Sequence, residues 1–224
     1  MKPEITSLEA YEQAWYHSIH HPQDFWAQVG ETFHWDKPWD EVCTGSFRQG
    51  DVQWYPGART NMSVNCLDRH LPTRGEHPAI VFQGNDPQEP VRTLSFRELH
   101  HQVVKAANAL RSLGVHKGDR VCLYMPNVPE AAIAMLACTR IGAIHSVVFG
   151  GFSAESLATR IHHADCKLLI TADSTYRGTK EVRLKDIADE AAAQCPSLQH
   201  LLVLRRTGSQ VAWAQGRDLW WHDT

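Results

Sequence analysis

Two stretches of this 224-residue chain carry residue types that could hold a phosphorylated ligand. The first is Val147-Val148-Phe149-Gly150-Gly151-Phe152-Ser153, which the pattern places at the carboxyl end of a strand and the start of a helix. Adjacent glycines there allow unusual backbone angles and let a ligand approach the main chain with no Cβ in the way. Taken alone, Gly150-Gly151 reads first as a turn that binds nothing. The second is Thr171-Ala172-Asp173-Ser174-Thr175-Tyr176-Arg177-Gly178-Thr179-Lys180, a polar loop at the end of the next strand, with Arg183 and Lys185 close behind. A guanidinium fork, an ammonium point charge and accessible amides are what phosphate recognition needs. Taken alone, this too reads as a solvated charged loop. An open backbone and a basic loop at two successive strand ends converge on a phosphate-bearing ligand.

Other chemistries find less support. The histidine pairs His20-His21, His100-His101 and His162-His163 are adjacent in sequence. Neighbours on a helix point about 100° apart, so each such pair is poorly placed to share one metal. No Gly-x-Ser-x-Gly elbow, no Gly-x-x-x-x-Gly-Lys-Ser/Thr loop and no Gly-x-Gly-x-x-Gly fingerprint occurs. These absences argue against a hydrolase triad, a P-loop and a Rossmann oxidoreductase. No metal site is expected.

The elements that must position these residues begin near Ala79. Ala79 to Gln83 and Val91 to Leu94 read as a hairpin joined by Gly84-Asn85-Asp86-Pro87. Ser95-x-x-Glu98 is a capping box, opening a helix with Phe96, Leu99, Val103, Ala106, Leu110 and Leu113 on one stripe and a stop at Gly114. Strands at Arg120–Met125, Ile144–Phe149, Lys167–Ala172 and His200–Leu204 then alternate with helices from Pro129, from Ser153 and through Leu184–Cys195. That alternation implies right-handed βαβ crossovers. The expected fold class is α/β: a Trp-rich N-terminal layer followed by a doubly wound, mainly parallel βαβ sheet. The layer occupies residues 1–75, with a helix over Ser7–His20, a second over Pro22–Thr32 and an irregular remainder anchored by tryptophans.

Composition bounds the setting. The formal charge of −3 argues against nucleic acid or an anionic membrane as partner. Six cysteines at 43, 66, 122, 138, 166 and 195 contain no Cys-x-x-Cys, and four lie in apolar patterns, which suits reduced thiols and a cytoplasmic location. Met1-Lys2-Pro3-Glu4 opens no secretory signal, and no stretch approaches the roughly 18 apolar residues of a membrane span.

Several runs resemble acetyl-CoA synthetases, members of the adenylate-forming acyl-CoA synthetases. They are Trp54-Tyr55-Pro56-Gly57, Asn65-Cys66-Leu67-Asp68-Arg69-His70, Tyr124-Met125-Pro126-Asn127-Val128-Pro129-Glu130, the His145–Ser153 run with its Phe-Gly-Gly-Phe-Ser, and Leu219-Trp220-Trp221-His222. The resemblance covers essentially the whole chain in the family's order. It implies a ligase that activates acetate with ATP and Mg²⁺ to acetyl-adenylate and then transfers the acetyl group to CoA. It implies a lead segment over 1–75 and the first part of an AMP-binding domain over 76–224. It also implies a CoA site in which Arg177 faces the 3′-phosphate or adenine end and Gly150 and Gly151 line the pantetheine path. Lys180 stands where the family's Arg-x-Gly-Arg has its second arginine, keeping charge without the fork. Gly57-Ala58-Arg59-Thr60-Asn61 departs from the family's second glycine and leucine. The family's phosphate loop, acetate pocket, ribose-binding Asp, adenylating Lys and mobile C-terminal domain find no match here. The resemblance therefore implies no catalytic residue in this segment, an N-terminal portion inactive alone, and a cut sheet with sticky edges. A stand-alone CoA- or nucleotide-binding module is the alternative expectation.

Overall fold

The structure, a computed structural model, describes residues 5–86 and 88–224. The reading of Met1–Glu4, and Pro87 in the hairpin turn, lie outside the described residues. The chain divides into two compact units, Met1–Arg69 and His70–Thr224.

In the first unit, the Ser7 hydroxyl accepts a hydrogen bond from the Ala10 amide and starts α1 (Leu8–His20). Pro22 then opens α2 (Pro22–Gly30), which ends two residues before the expected Thr32. Gly30 lets the last turn pack closely on the aromatic cluster: a Cβ there would meet the Trp39 ring at 2.8 Å. The periodic stripe Leu8, Tyr11, Trp15 and Ile19 on α1 is exposed. Trp35, Trp39 and Tyr55 pack with ring centroids 5.0–5.3 Å apart. The Trp35 indole N–H donates to Gly30 O at 2.8 Å and the Tyr55 hydroxyl to Trp26 O at 2.7 Å, so each large ring also satisfies its polar tip. Strands β1 (Cys43–Thr44) and β2 (Gln53–Trp54) pair antiparallel, and Asn61 caps α3 (Met62–Cys66).

The second unit opens with α4 (Leu71–Arg74) and the antiparallel hairpin β3 (Pro78–Phe82) and β4 (Arg92–Ser95). The Ser95–Glu98 capping box is formed, and α5 (Phe96–Ser112) buries Leu99, Val103, Ala106 and Leu110. There follow β5 (Arg120–Met125), α6 (Pro129–Ile141), β6 (Ile144–Phe149), α7 (Ala154–Ala164), β7 (Leu168–Ala172), β8 (Thr175–Arg177), β9 (Lys180–Val182), α8 (Leu184–Ala192), β10 (His200–Leu204) and β11 (Asp218–Trp220).

Five of these strands form one parallel sheet in the order β11-β10-β7-β5-β6. Strand β7 and all of β5 after Arg120 are buried, as a parallel strand covered on both faces must be. Cys122 and Tyr124 of β5 pack with α7 and α8. Alternation turns the equally buried Val121 and Leu123 to the other face. From β5 the chain runs outward to β6, then crosses back past β5 to β7, so the connections leave β5 and β7 in opposite directions. An α/β sheet forms its crevice at the carboxyl ends of such strands.

Two sheet features go beyond the sequence reading. Strand β11 joins the sheet next to β10, and the segment read as a polar loop contains the hairpin β8–β9. At the other edge, β6 leaves Ile144, Val147 and Phe149 exposed, in line with the expectation of an uncovered sheet edge.

Candidate functional site

A cleft of about 1500 Å³ opens at the carboxyl ends of the parallel strands. Its floor is Met125 to Val128 after β5 and Phe149-Gly150 after β6. One wall is the β8–β9 hairpin with Arg177, the other is β3 with its outgoing loop, and Arg206-Thr207 after β10 contribute to the rim.

The glycine turn is held from below. Tyr124 is fully buried, and its hydroxyl donates to Phe152 O at 2.7 Å, while the Thr171 hydroxyl donates to Tyr124 O at 3.0 Å. Burial raises the Tyr124 phenol above its ordinary pKa, so it stays a hydrogen-bond donor throughout the physiological range. A Cβ on Gly150 would lie 2.9 Å from Met125 O, too close for any side chain without moving the backbone of the floor. Gly151 has φ +151°, and a Cβ there would lie 2.9 Å from Arg177 Nη2. The two stretches singled out in the sequence therefore meet: Arg177 lies against Gly151, with its guanidinium 5.2 Å from the centroid of the Phe149 ring.

Arg177 and Lys180 are register partners, joined through Gly178 at φ +60° and Thr179, a tight turn that the glycine makes possible. Gly150 and Arg177 line the cleft, whereas Lys180 is exposed on β9 outside the lining. Arg183 and Lys185 lie elsewhere. Arg183 pairs with Asp186, and the fully buried Lys185 binds Asp189 at 2.7 Å and Asp218 at 2.8 Å. Burial alone would raise the pKa of Asp218. Hydrogen bonds from the Arg217 side chain, the Ala214 amide and Lys185 outweigh it and hold the carboxyl below its ordinary value.

A polar knot fixes the rim. The Asp173 carboxylate is fully buried and accepts from the amides of Ser174 (2.7 Å), Arg206 (2.8 Å), Thr207 (3.2 Å) and Gly208 (2.7 Å). The Ser174 hydroxyl donates to Glu181 at 2.6 Å and lies 2.6 Å from the Thr207 hydroxyl. Hydrogen bonds from Ser174 and Ser209 lower the Glu181 pKa. Together these bonds tie β7, the basic hairpin and the loop after β10 into one support. The β3–β4 loop is tied to it by Asn85 Nδ2 donating to Tyr176 O at 2.9 Å and by Glu89 pairing with Arg206 at 2.6 Å. The sequence reading missed Arg206 and Glu89, and named Asp173 only as a member of the polar loop. Arg205-Arg206-Thr207-Gly208 repeats the signal of the basic loop, basic residues and a glycine after a strand, at the end of the next parallel strand, β10.

His17 and His21 stand four apart, a spacing the sequence reading overlooks, and their rings lie 5.6 Å apart. Among the described residues no group of three or more His, Cys, Asp or Glu is placed to hold a metal ion. Nor is any helix there long and apolar enough to cross a membrane.

The fold and cleft define a class. The family model described as "AMP-binding enzyme" matches residues 67–222, and the chain belongs to that family. The model "Acetyl-coenzyme A synthetase N-terminus" matches residues 11–66. Among individual relatives, acetyl-coenzyme A synthetase 2 of Pseudomonas putida is 51% identical over 215 residues, covering 96% of this chain and 33% of the relative. The acetyl-coenzyme A synthetase of Deinococcus radiodurans is 52% identical over 219 residues, covering 97% of this chain and 33% of the relative. The solved acetoacetyl-CoA synthetase of Streptomyces lividans superposes with a TM-score of 0.84 at 29% identity, over 92% of this chain and 31% of that one. The chain thus spans about a third of the length of the curated relatives it matches.

Proposed function

We propose that this chain is the N-terminal portion of an acetate–CoA ligase and that its cleft receives CoA. In the full reaction an acetate oxygen attacks the α-phosphorus of ATP and pyrophosphate leaves. The CoA thiol then attacks the acetyl carbonyl, loses its proton, and AMP leaves. This segment's contribution is to bind and orient the CoA nucleotide. Arg177, stacked on Phe149 and seated against Gly151, offers its guanidinium to the 3′-phosphate or the adenine. Gly150 and Gly151 border the pantetheine path, Gly150 in the cleft lining and Gly151 as the seat of Arg177. Lys180 adds a positive field near Arg177 from the opposite strand of the hairpin. No residue of the chain is assigned to bond making. ATP, acetate and Mg²⁺, which would offset phosphate charge when bound, belong to machinery beyond the matched span. The described residues supply no cluster for the ion. Residues 1–75 act as the lead segment and 76–224 as the first part of the AMP-binding domain, in a cytoplasmic enzyme.

The single observation that carries this reading is the meeting of Arg177 with the Phe149–Gly151 turn at the strand ends, in a chain about half identical to acetyl-CoA synthetases. The test is to replace the matching segment of the P. putida relative with these 224 residues and assay AMP release. Release that depends on acetate and CoA is expected, with KM for CoA raised and the pyrophosphate half-reaction spared when Arg177→Ala is introduced. A chimaera that folds but shows no acetate-dependent AMP release would refute the assignment.

A further inference from the structure

We infer that Arg206 is a second phosphate-binding cation of the cleft, paired in this structure with the Glu89 carboxylate, so that ligand entry exchanges an internal carboxylate for a phosphate. Arg206 and Arg177 line the same cleft from different strand ends. Arg206 Nη2 donates to Glu89 Oε2 at 2.6 Å, and its guanidinium lies 5.7 Å from the centroid of the Phe82 ring. The main chain beneath it is pre-set, because the buried Asp173 holds the amides of residues 206, 207 and 208. A cation on so rigid a base, facing a cavity large enough for a nucleotide, suits recognition of an anion. Glu89 is itself packed against the loop backbone: a Cβ on Gly84 would lie 1.8 Å from its Oε2.

Both partners keep an exposed face, at 26% and 21% of their side chains, so an entering anion can reach the pair. A phosphate brings up to two charges and three acceptor oxygens to the same guanidinium. The inference rests on the cleft being a nucleotide site, as proposed above, and names a further residue and its competitor there.

The test is calorimetric titration of the purified chain with adenosine 3′,5′-bisphosphate and with CoA. Glu89→Gln keeps the shape and an acceptor for Arg206 but removes the competing charge, and should tighten both ligands by about threefold or more. Arg206→Met should weaken both by about tenfold, Arg206→Lys by less, and the double variant should bind like Arg206→Met, because Glu89 acts only through Arg206. Thermal melts monitored by circular dichroism select the variants that remain folded. Glu89→Gln binding no tighter than the native chain, or a folded Arg206→Met binding equally well, would mean that the pair merely ties the loop and would overturn the inference. If the Arg206 variants behave as expected while Arg177→Ala changes nothing, the CoA role of the basic hairpin falls and this inference stands. If the native chain binds neither ligand, both fall.

Discussion

Replacing Asp173 with Asn changes one atom and should loosen the whole rim of the cleft. The carboxylate accepts four backbone amides. Oδ1 takes Ser174 and Arg206, Oδ2 takes Gly208, and Thr207 lies between them. An asparagine oriented to keep the first two would set its NH₂ against the Gly208 N–H, which now sits 2.7 Å from Oδ2, donor facing donor. A hydrogen bond to a charged group contributes about 1.5–3 kcal/mol, and a buried donor left unpaired costs about 1–3 kcal/mol. Because the residues on the loop side are only partly buried, a net loss of about 2–4 kcal/mol is the reasonable sum. For a chain of this size each kcal/mol moves Tm by about 2–4 °C, so the midpoint should fall by roughly 4–16 °C. Differential scanning calorimetry of the native and Asp173→Asn chains measures this directly. Because the knot supports Arg206 and Thr207, CoA affinity should drop as well, even in the fraction that remains folded. A midpoint within about 2 °C of the native value, with ligand affinity unchanged, would refute the claim that this carboxylate organises the rim.

Further outcomes follow from other parts of the second unit and from the thiols. Gly151→Ala, at φ +151° and against Arg177, should cost about 1–3 kcal/mol in backbone strain and weaken CoA binding; denaturant unfolding and titration read the two effects separately. Tyr124→Phe removes the hydroxyl that holds Phe152 O and should destabilise by about 1–2 kcal/mol in urea unfolding, with a larger effect on CoA affinity than on the β5 core. Asp218 has a folded pKa below its unfolded one, so its stabilising contribution is present above the ordinary carboxylate pKa and is lost as pH falls through the lower folded value; Tm measured from pH 7 to pH 3 should fall less steeply in Asp218→Asn. Thiol titration of the native chain should modify the exposed Cys66 first and half-buried Cys43 more slowly. The buried Cys122, Cys138, Cys166 and Cys195 should wait for denaturant, Cys138 being also held protonated by a pKa pushed up to about 12.

The regular half of the fold was legible because periodicity and punctuation agreed. The Ser95–Glu98 box, Pro129 at a helix start, Gly142 at its end and the apolar strands each state their element locally. The elements that were missed depend on distant partners. Strand β11 is three residues long and joins the sheet where Asp218 meets Lys185, 33 positions earlier in the chain. Hairpin β8–β9 has strands of three residues and one aliphatic side chain, Val182, so no apolar alternation betrays it. Lys185 read as a phosphate-loop cation because charge in a sequence looks exposed, yet two aspartates bury it completely. The α1 stripe has helical spacing but is exposed, since periodicity reports a helix face and not what covers it. At the site, glycines and a basic loop at strand ends were readable as types. Arg206 opposite Glu89 required the three-dimensional return of the β3–β4 loop, 117 positions away.

The measurement closest to the central claim is calorimetric titration of the 224-residue chain with CoA and with 3′-dephospho-CoA. If Arg177 and the glycine turn form a CoA nucleotide site, CoA should bind about tenfold or more tightly than the dephospho form, and Arg177→Ala should erase the difference. Equal affinity for the two ligands, or no heat from either with a folded chain, would contradict the account.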